Sequence, residues 1–113
     1  MKRIYISGPM SGIPQHNLPA FNAEAARLRA LGYEVVNPVD INPDPGAAWH
    51  DYLRKDLIEM LGCDTLALLP GWEMSDGANL ELHVAHRVKM RIIAAEKIVE
   101  PLIEPYRYWE QRA

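Results

Sequence analysis

The chain has 113 residues and a formal net charge of -3 at pH 7, and 49% of its residues are hydrophobic and 24% charged. This length predicts a single domain over residues 1–113, because one domain typically takes ~100–200 residues, and the composition is typical of a water-soluble globular protein. The acidic balance disfavours a nucleic-acid polymer or an anionic membrane as the main partner, so neither is expected. A homo-oligomer, a dimer or larger, is expected because so short a chain buries little surface by itself.

Cysteine and histidine usage gives no sign of a metal centre. The single cysteine, Cys63, excludes an internal disulfide and a cysteine-rich metal site. His83 and His86 are three residues apart, but no third ligand accompanies them. The first residues contain no hydrophobic segment of a signal peptide, and no apolar stretch approaches the ~20 residues that span a bilayer. We therefore expect a cytoplasmic protein without a resident metal.

The predicted elements alternate between strands and helices. Short β-branched or aromatic runs bounded by Gly and Pro predict strands, and apolar residues at three- and four-residue spacing predict helices. In chain order the prediction is a strand over 3–7, a helix over 19–31, a strand over 33–37, a helix over 49–61, a strand over 64–69, a helix over 77–90 and a strand over 92–95. No regular structure is predicted over 38–48, which contains Pro38, Pro43, Pro45 and Gly46.

This alternation predicts an α/β fold, flavodoxin-like or Rossmann-like, with three layers and a parallel sheet of four to five strands. The tail over 96–113 is compatible with a fifth strand, a short helix or an arm that contacts a neighbouring subunit. Ligands of such sheets bind beyond the carboxyl ends of the strands, here the loops after Ser7, Asn37 and Leu69.

The first of these loops is rich in small residues. Small side chains let a ligand approach the backbone closely, although a tight turn explains the same composition, and neither a dinucleotide fingerprint nor a P-loop is present. The predicted ligand-binding residues of this loop are Ser7, Gly8, Pro9, Met10 and Ser11.

A carboxylate interrupts the apolar face of the helix predicted over 77–90. On a helical wheel, Leu80, Val84, Ala85 and Val88 define the core-facing arc, and Glu81 falls inside it. A carboxylate loses hydration there, which is costly unless it is paired, neutral or facing a cavity. Glu81 therefore either serves backbone amides or an ion pair, or acts on a ligand at the edge of the sheet.

Asp56 repeats this pattern in the preceding helix. It lies at the margin of the apolar stripe and would by itself be a surface ion-pairing residue, but a companion of Glu81 could share nucleophilic, base and orienting roles with it. The apolar stripe itself is predicted to comprise Trp49, Leu53, Leu57, Met60 and Leu61.

The residues before the helix that carries Glu81 provide further candidates. Ser75, Asp76 and Gly77 lie where a helix N-terminus favours an anion, and an ordinary N-cap is the alternative. Trp72 lies in the same ligand-side loop, where its indole either stacks on a base or anchors the loop.

Three segments carry a family resemblance. Residues 4–12, residues 56–57 with 63–64, and residues 70–81 resemble, in this order, the nucleoside 2-deoxyribosyltransferase superfamily, most closely a branch common in phage and bacterial genomes, the domain of unknown function 4406. The resemblance covers roughly the first 95 residues. It implies a flavodoxin-like sheet and cleavage of the N-glycosidic bond of deoxynucleosides or their 5′-monophosphates by a glutamate nucleophile.

The resemblance also implies roles for individual residues. It places the nucleophile at Glu81, and at Asp56 the aspartate that contacts the sugar or orients the nucleophile. Tyr5 matches a tyrosine near the sugar, Gly8 a glycine of the ligand loop, and Ser75 a phosphate-binding serine.

Two positions depart from the family pattern. The nucleotide-hydrolase branch has an arginine in the first loop, and Ser11 occupies the nearest position in this sequence. Asp76 is one residue closer to the nucleophile than the aspartate of the transferase branch. The expected reaction retains configuration at the anomeric carbon, by hydrolysis or deoxyribosyl transfer, and needs no cofactor. The alternatives are a phosphoribohydrolase of the cytokinin-activating type, whose doubled glycine and helix arginine the chain lacks, and a nucleotide-binding module without turnover.

Overall fold

The computed structural model describes residues 1–41 and 46–103. Over these ranges the sheet has four strands, all parallel, in the order β2-β1-β3-β4. The strands are β1 (Arg3–Ser7), β2 (Glu34–Val36), β3 (Thr65–Leu68) and β4 (Arg91–Ala94). The predicted parallel α/β sheet is confirmed.

The helices connect successive strands. They are α1 (Leu18–Ala30), α2 (Pro38–Ile41), α3 (Trp49–Met60) and α4 (Asp76–Arg87), with 3-10 turns at Pro14–Asn17, Trp72–Met74 and Ala95–Lys97. Helix α4 ends at Arg87 rather than at Met90, since Lys89 has a left-handed backbone with φ of 61°. Among the residues described, no helix is both long and apolar enough to cross a bilayer.

The side chains of β1 alternate between two apolar clusters. Ile4 and Ile6 belong to a cluster that also contains the buried side chains of α1, whereas Tyr5 packs in a second cluster with Met60 of α3 and Ala85 of α4. Helix α1 therefore covers one face of the sheet, and α3 and α4 cover the other. This arrangement is the predicted three-layer, flavodoxin-like or Rossmann-like fold.

The strand order reverses direction beside β1. The chain passes from β1 to β2 on one side and then returns to place β3 on the other side of β1, with Ser7 opposite Leu68. In parallel sheets of this kind the loops diverge at such a switch point and leave a crevice at the carboxyl ends of the strands. The edge formed by Ser7 and Leu68 is therefore the place where a site is expected.

Helix α2 corrects the prediction that 38–48 lacks regular structure. Asn37 accepts a hydrogen bond from the backbone N–H of Val39 at 3.2 Å through its side-chain oxygen, and Pro38 occupies the first helical position. An Asn cap followed by proline is a strong helix start, so Pro38 begins a helix here and does not break one. Pro43 and Pro45 lie outside the described residues.

The buried face of α4 differs from the predicted arc. Leu80 and Val88 are 37% and 52% exposed, whereas the buried residues of α4 are Ala78, Glu81 and Ala85. Small side chains at this spacing let the helix lie close to the sheet, so the helix is rotated relative to the predicted wheel. The prediction that Glu81 lies on the buried face is confirmed, and Glu81 lies at the middle of that face.

The predicted core-facing stripe of α3 is also wrong at its two ends. Trp49 is 56% exposed and Leu61 is 54% exposed, whereas Met60 is fully buried. Trp49 starts the helix beside a cleft, and Leu61 follows its last turn, so neither position is covered by the sheet.

The first residues of the predicted tail pack against α1 and the segment that follows it. Arg27 donates to the carbonyl of Ile98 at 2.7 Å, and the backbone N–H of Leu102 donates to the carbonyl of Leu31 at 2.8 Å. The segment 96–103 contains one 3-10 turn and no fifth strand. The rest of the predicted tail, residues 104–113, lies outside the described residues, so the predicted arm that contacts a neighbouring subunit stays a prediction.

Candidate active site

A cleft of about 1240 Å³ opens at the switch point of the sheet. Its walls come from the end of β1 and the loop after it, from α3, and from the loop that leads into α4. All of the predicted site residues except Trp72 line this cleft, namely Tyr5, Ser7, Gly8, Pro9, Met10, Ser11, Asp56, Ser75, Asp76, Gly77 and Glu81. The fold thus brings together residues that are as many as 76 positions apart in sequence.

Glu81 is hydrogen-bonded through both of its carboxylate oxygens. The hydroxyl of Tyr5 donates to Oε2 at 2.5 Å, and the hydroxyl of Ser7 donates to Oε1 at 2.7 Å. Tyr5 and Ser7 are two residues apart on β1 and therefore face the same side of the sheet, toward α4. Within the described residues, the hydrogen bonds to this carboxylate come from these two hydroxyls. They do not come from backbone amides or from a cation, as a purely structural role of Glu81 would require.

The environment of Glu81 shifts its ionisation toward neutral pH. Burial raises the pKa of Glu81 to about 7, the two hydroxyl hydrogen bonds act in the opposite direction, and the negative charge of Asp56 raises it further. Burial and then the charge of Glu81 raise the pKa of Tyr5 well above its usual value. Tyr5 therefore remains a protonated donor while the carboxyl of Glu81 titrates near pH 7.

Removal of either hydroxyl is expected to raise the pKa of Glu81 further. A hydrogen bond to a charged group contributes ~1.5–3 kcal/mol, so Tyr5→Phe and Ser7→Ala should each raise this pKa by about one unit or more. Carbon-13 NMR titration of the side-chain carboxyl measures the shift directly. Tyr33→Phe is the matched control, because the hydroxyl of Tyr33 donates to the carbonyl of Glu100 elsewhere. An unchanged titration in both variants would show that the hydroxyls do not stabilise the ionised form.

Asp56 lies on the side of α3 that faces the cleft. Its side chain is half-buried, and its charge acts on both Glu81 and Tyr5. Trp49, Tyr52 and Leu53 line the cleft from the same helix. Sequence reasoning assigned Trp49 and Leu53 to the core stripe and did not select Tyr52. Their helical spacing from Asp56 was the signal that could have placed them in the site.

The loop before α4 is organised by its own hydrogen bonds. The hydroxyl of Ser75 accepts from the backbone N–H of Ala78 at 3.1 Å, as an N-cap does, while Ser75 also borders the cleft. Asp76 is exposed in the first turn of α4. Trp72 packs against the apolar cluster that contains Met60 and does not line the cleft. Its position favours the loop-anchoring interpretation over stacking on a ligand.

The loops after β1 and β3 approach each other at Gly8. A Cβ added to Gly8 would lie 2.8 Å from Cβ of Leu69, closer than real Cβ contacts, so this approach requires glycine. The carbonyl of Pro9 accepts from the side-chain amide of Asn17 at 2.9 Å, which ties the first loop to the start of α1. His16 and Asn17 also border the cleft and were not predicted as site residues.

The described part of the chain contains no cluster of three or more His, Cys, Asp or Glu side chains that could hold a metal ion. His83 and His86 are exposed on α4 and border a separate, smaller hollow with Leu82 and Ile92.

Fold and cleft define a doubly wound α/β protein with a buried, hydroxyl-bonded carboxylate at the switch point of its sheet. The chain belongs to the family described as Domain of unknown function (DUF4406), whose model matches residues 2–94. This domain family, DUF4406, is the one that the sequence motifs predicted. No curated protein matches the chain at a significant level.

Proposed function

We propose that the cleft cleaves the N-glycosidic bond of a nucleoside, a deoxynucleoside or a nucleoside 5′-monophosphate, with Glu81 as the nucleophile. The observation that carries the proposal is the burial of this carboxylate in the cleft with both oxygens held by hydroxyls. The motif order that resembles the nucleoside 2-deoxyribosyltransferase superfamily supports it independently. Glu81 is 6% exposed. A carboxylate so far removed from water lowers the stability of the fold, but such a group in a cleft is typical of an active site.

In the first step, an oxygen of Glu81 attacks the anomeric carbon C1′ of the sugar. The bond from C1′ to the base nitrogen breaks, its electron pair stays on the base, and the base takes a proton from Asp76 or from water. The product of this step is a glycosyl ester of Glu81. The transition state carries positive charge on the sugar, and the nearby negative charge of Asp56 stabilises it.

In the second step, water or an acceptor base attacks C1′ from the opposite side. The ester bond to Glu81 breaks and its electron pair returns to the carboxylate, while the incoming nucleophile gives its proton to the carboxylate of Asp76 or to water. Tyr5 and Ser7 stabilise the carboxylate that leaves, because both donate hydrogen bonds to it. Two successive displacements retain the configuration at C1′. During both steps Asp56 orients Glu81 or binds a sugar hydroxyl.

Chromatographic detection of free base tests the proposal. The protein is incubated with ribonucleosides, deoxynucleosides and their 5′-monophosphates, with and without a second base as acceptor. We expect base release from wild type and from Glu96→Ala, an exposed glutamate outside the cleft lining, but not from Glu81→Ala. A new nucleoside formed only with acceptor identifies transfer, and release without acceptor identifies hydrolysis.

Equal base release by wild type and Glu81→Ala would remove Glu81 as the nucleophile. Binding of nucleosides by wild type without release of base would contradict glycosidic cleavage and leave a nucleotide-binding module. Circular dichroism of each variant confirms that a loss of release does not reflect unfolding.

A further inference from the structure

Trp49 exposes a large aromatic surface at the mouth of the cleft. Trp49 is 56% exposed and borders the cleft, as do two other exposed apolar residues, Met74 at 88% and Leu18 at 37%. Exposed apolar surface that borders a concave site is typical of a contact surface for a ligand or a partner. A ligand that covers the indole removes this surface from water and gains stacking energy as well.

Helix α4 relates the indole to the proposed nucleophile. A Cβ added to Gly77 would lie 4.0 Å from Nε1 of Trp49, so the indole is adjacent to the first turn of α4. Gly77 and Glu81 are four residues apart and occupy the same face of α4, roughly 6 Å apart along its axis. A sugar held at Glu81 therefore has the indole about one helical turn away, within reach of the group attached to C1′.

Helix α3, which forms another wall of the cleft, also relates the indole to the proposed sugar site. Trp49 and Asp56 are seven residues apart, which places them on one face of α3 with roughly 10 Å between them along the axis. Both line the cleft. The wall thus passes from a carboxylate, which suits sugar hydroxyls, to an indole, which suits a flat aromatic ring.

We infer that Trp49 is the stacking surface for the nucleobase and favours bicyclic purines over pyrimidines. The inference rests on the proposed function, because it takes the sugar to lie at Glu81. Stacking on an aromatic side chain suits any base, since every base has a flat face. A purine covers more of the indole than a pyrimidine does, so it gains more from Trp49.

Kinetics of base release test the role of Trp49. With 2′-deoxyadenosine, Trp49→Ala is expected to raise KM roughly ten- to a hundredfold, and with 2′-deoxycytidine to raise it less. Trp49→Phe should restore most of the wild-type KM, and Trp49→Leu, which is apolar but not aromatic, should not. Ile58→Ala is the matched control, because Ile58 is a large hydrophobic residue of α3, 71% exposed and outside the cleft lining.

A binding measurement separates this inference from the proposed reaction. In the background of Glu81→Gln, titration with 2′-deoxyadenosine should quench the tryptophan fluorescence, and the quenching should disappear when Trp49→Phe is added. Such quenching without base release by wild type would overturn glycosidic cleavage but support the base site. Base release by wild type with an unchanged KM in Trp49→Ala would overturn the role of Trp49 alone, as would equal rescue by Trp49→Leu and Trp49→Phe. If wild type neither binds nor cleaves either nucleoside, both proposals are wrong.

Discussion

Glu81→Gln is expected to stabilise the protein at pH 8 by about 3 kcal/mol and to remove the fall in stability between pH 5 and pH 8 that ionisation of Glu81 causes. Burial raises the pKa of Glu81 from its ordinary value of 4.5 to about 7 in the folded protein. Each pKa unit corresponds to ~1.4 kcal/mol, so ionisation of this buried group opposes folding by about 3 kcal/mol. Glutamine has nearly the same shape and carries no charge at any pH.

The direction follows from the raised pKa. Below about pH 4.5 the carboxyl is protonated in both the folded and the unfolded chain, and no stability is lost through it. Between about 4.5 and 7 the unfolded chain ionises first, so the free energy of unfolding falls as the pH rises. Above about pH 7 the carboxyl is ionised in both the folded and the unfolded chain, and the loss of stability is complete.

Urea unfolding at several values between pH 5 and pH 8 measures this effect. The difference between wild type and Glu81→Gln isolates the contribution of Glu81, because the other titrating groups are common to both proteins. Glu96→Gln is the control and should follow the wild-type curve, since Glu96 is exposed. Parallel curves for wild type and Glu81→Gln would mean that the buried carboxyl titrates as it does in the unfolded chain.

A loss of this size in the free energy of unfolding marks Glu81 as a residue that the fold does not need. An uncharged residue at this position would pack against β1 without any loss of hydration, and the two hydroxyls of Tyr5 and Ser7 would still find partners in an amide. Residues that lower stability and lie in a cleft are typical of functional sites. The stability measurement therefore bears on function without requiring a substrate.

The order of strands and helices could be predicted because periodicity and turn residues are local signals. The buried position of Glu81 could also be predicted, although Leu80 and Val88 are exposed. A wheel fixes which residues share a face, but it does not fix how closely that face meets the sheet. Here Ala78 and Ala85 allow the closest approach, and their small side chains carry little weight in an apolar arc.

The hydrogen bonds from Tyr5 and Ser7 to Glu81 could not be predicted from the sequence, because they depend on the position of α4 over β1. The positions of Trp49 and Trp72 could not be predicted for the same reason. Trp72 lies in the loop beside the cleft, yet it packs against the core, and Trp49 begins an amphipathic helix, yet its indole is exposed at the cleft. Only the tertiary arrangement decides which aromatic residue faces the cleft.

The rate of base release is expected to rise with pH and to level off above about pH 7. In the proposed reaction Glu81 must be ionised to attack C1′, and burial raises its pKa to about 7. Well below that value kcat/KM should fall about tenfold for each pH unit, so that at pH 5 it is roughly a hundredfold below its plateau at high pH. A profile of kcat/KM from pH 5 to pH 9 for wild type measures this acidic limb.

Asp56→Asn is expected to move this limb to lower pH, because the negative charge of Asp56 raises the pKa of Glu81. Tyr5→Phe should move it to higher pH, because that variant removes a hydrogen bond that lowers the pKa. Opposite shifts in two variants distinguish titration of Glu81 from a general effect of pH on folding, which would move both profiles together. A rate that falls as the pH rises through 7 would show instead that Glu81 acts in its protonated form, as an acid toward the leaving base rather than as a nucleophile toward the sugar.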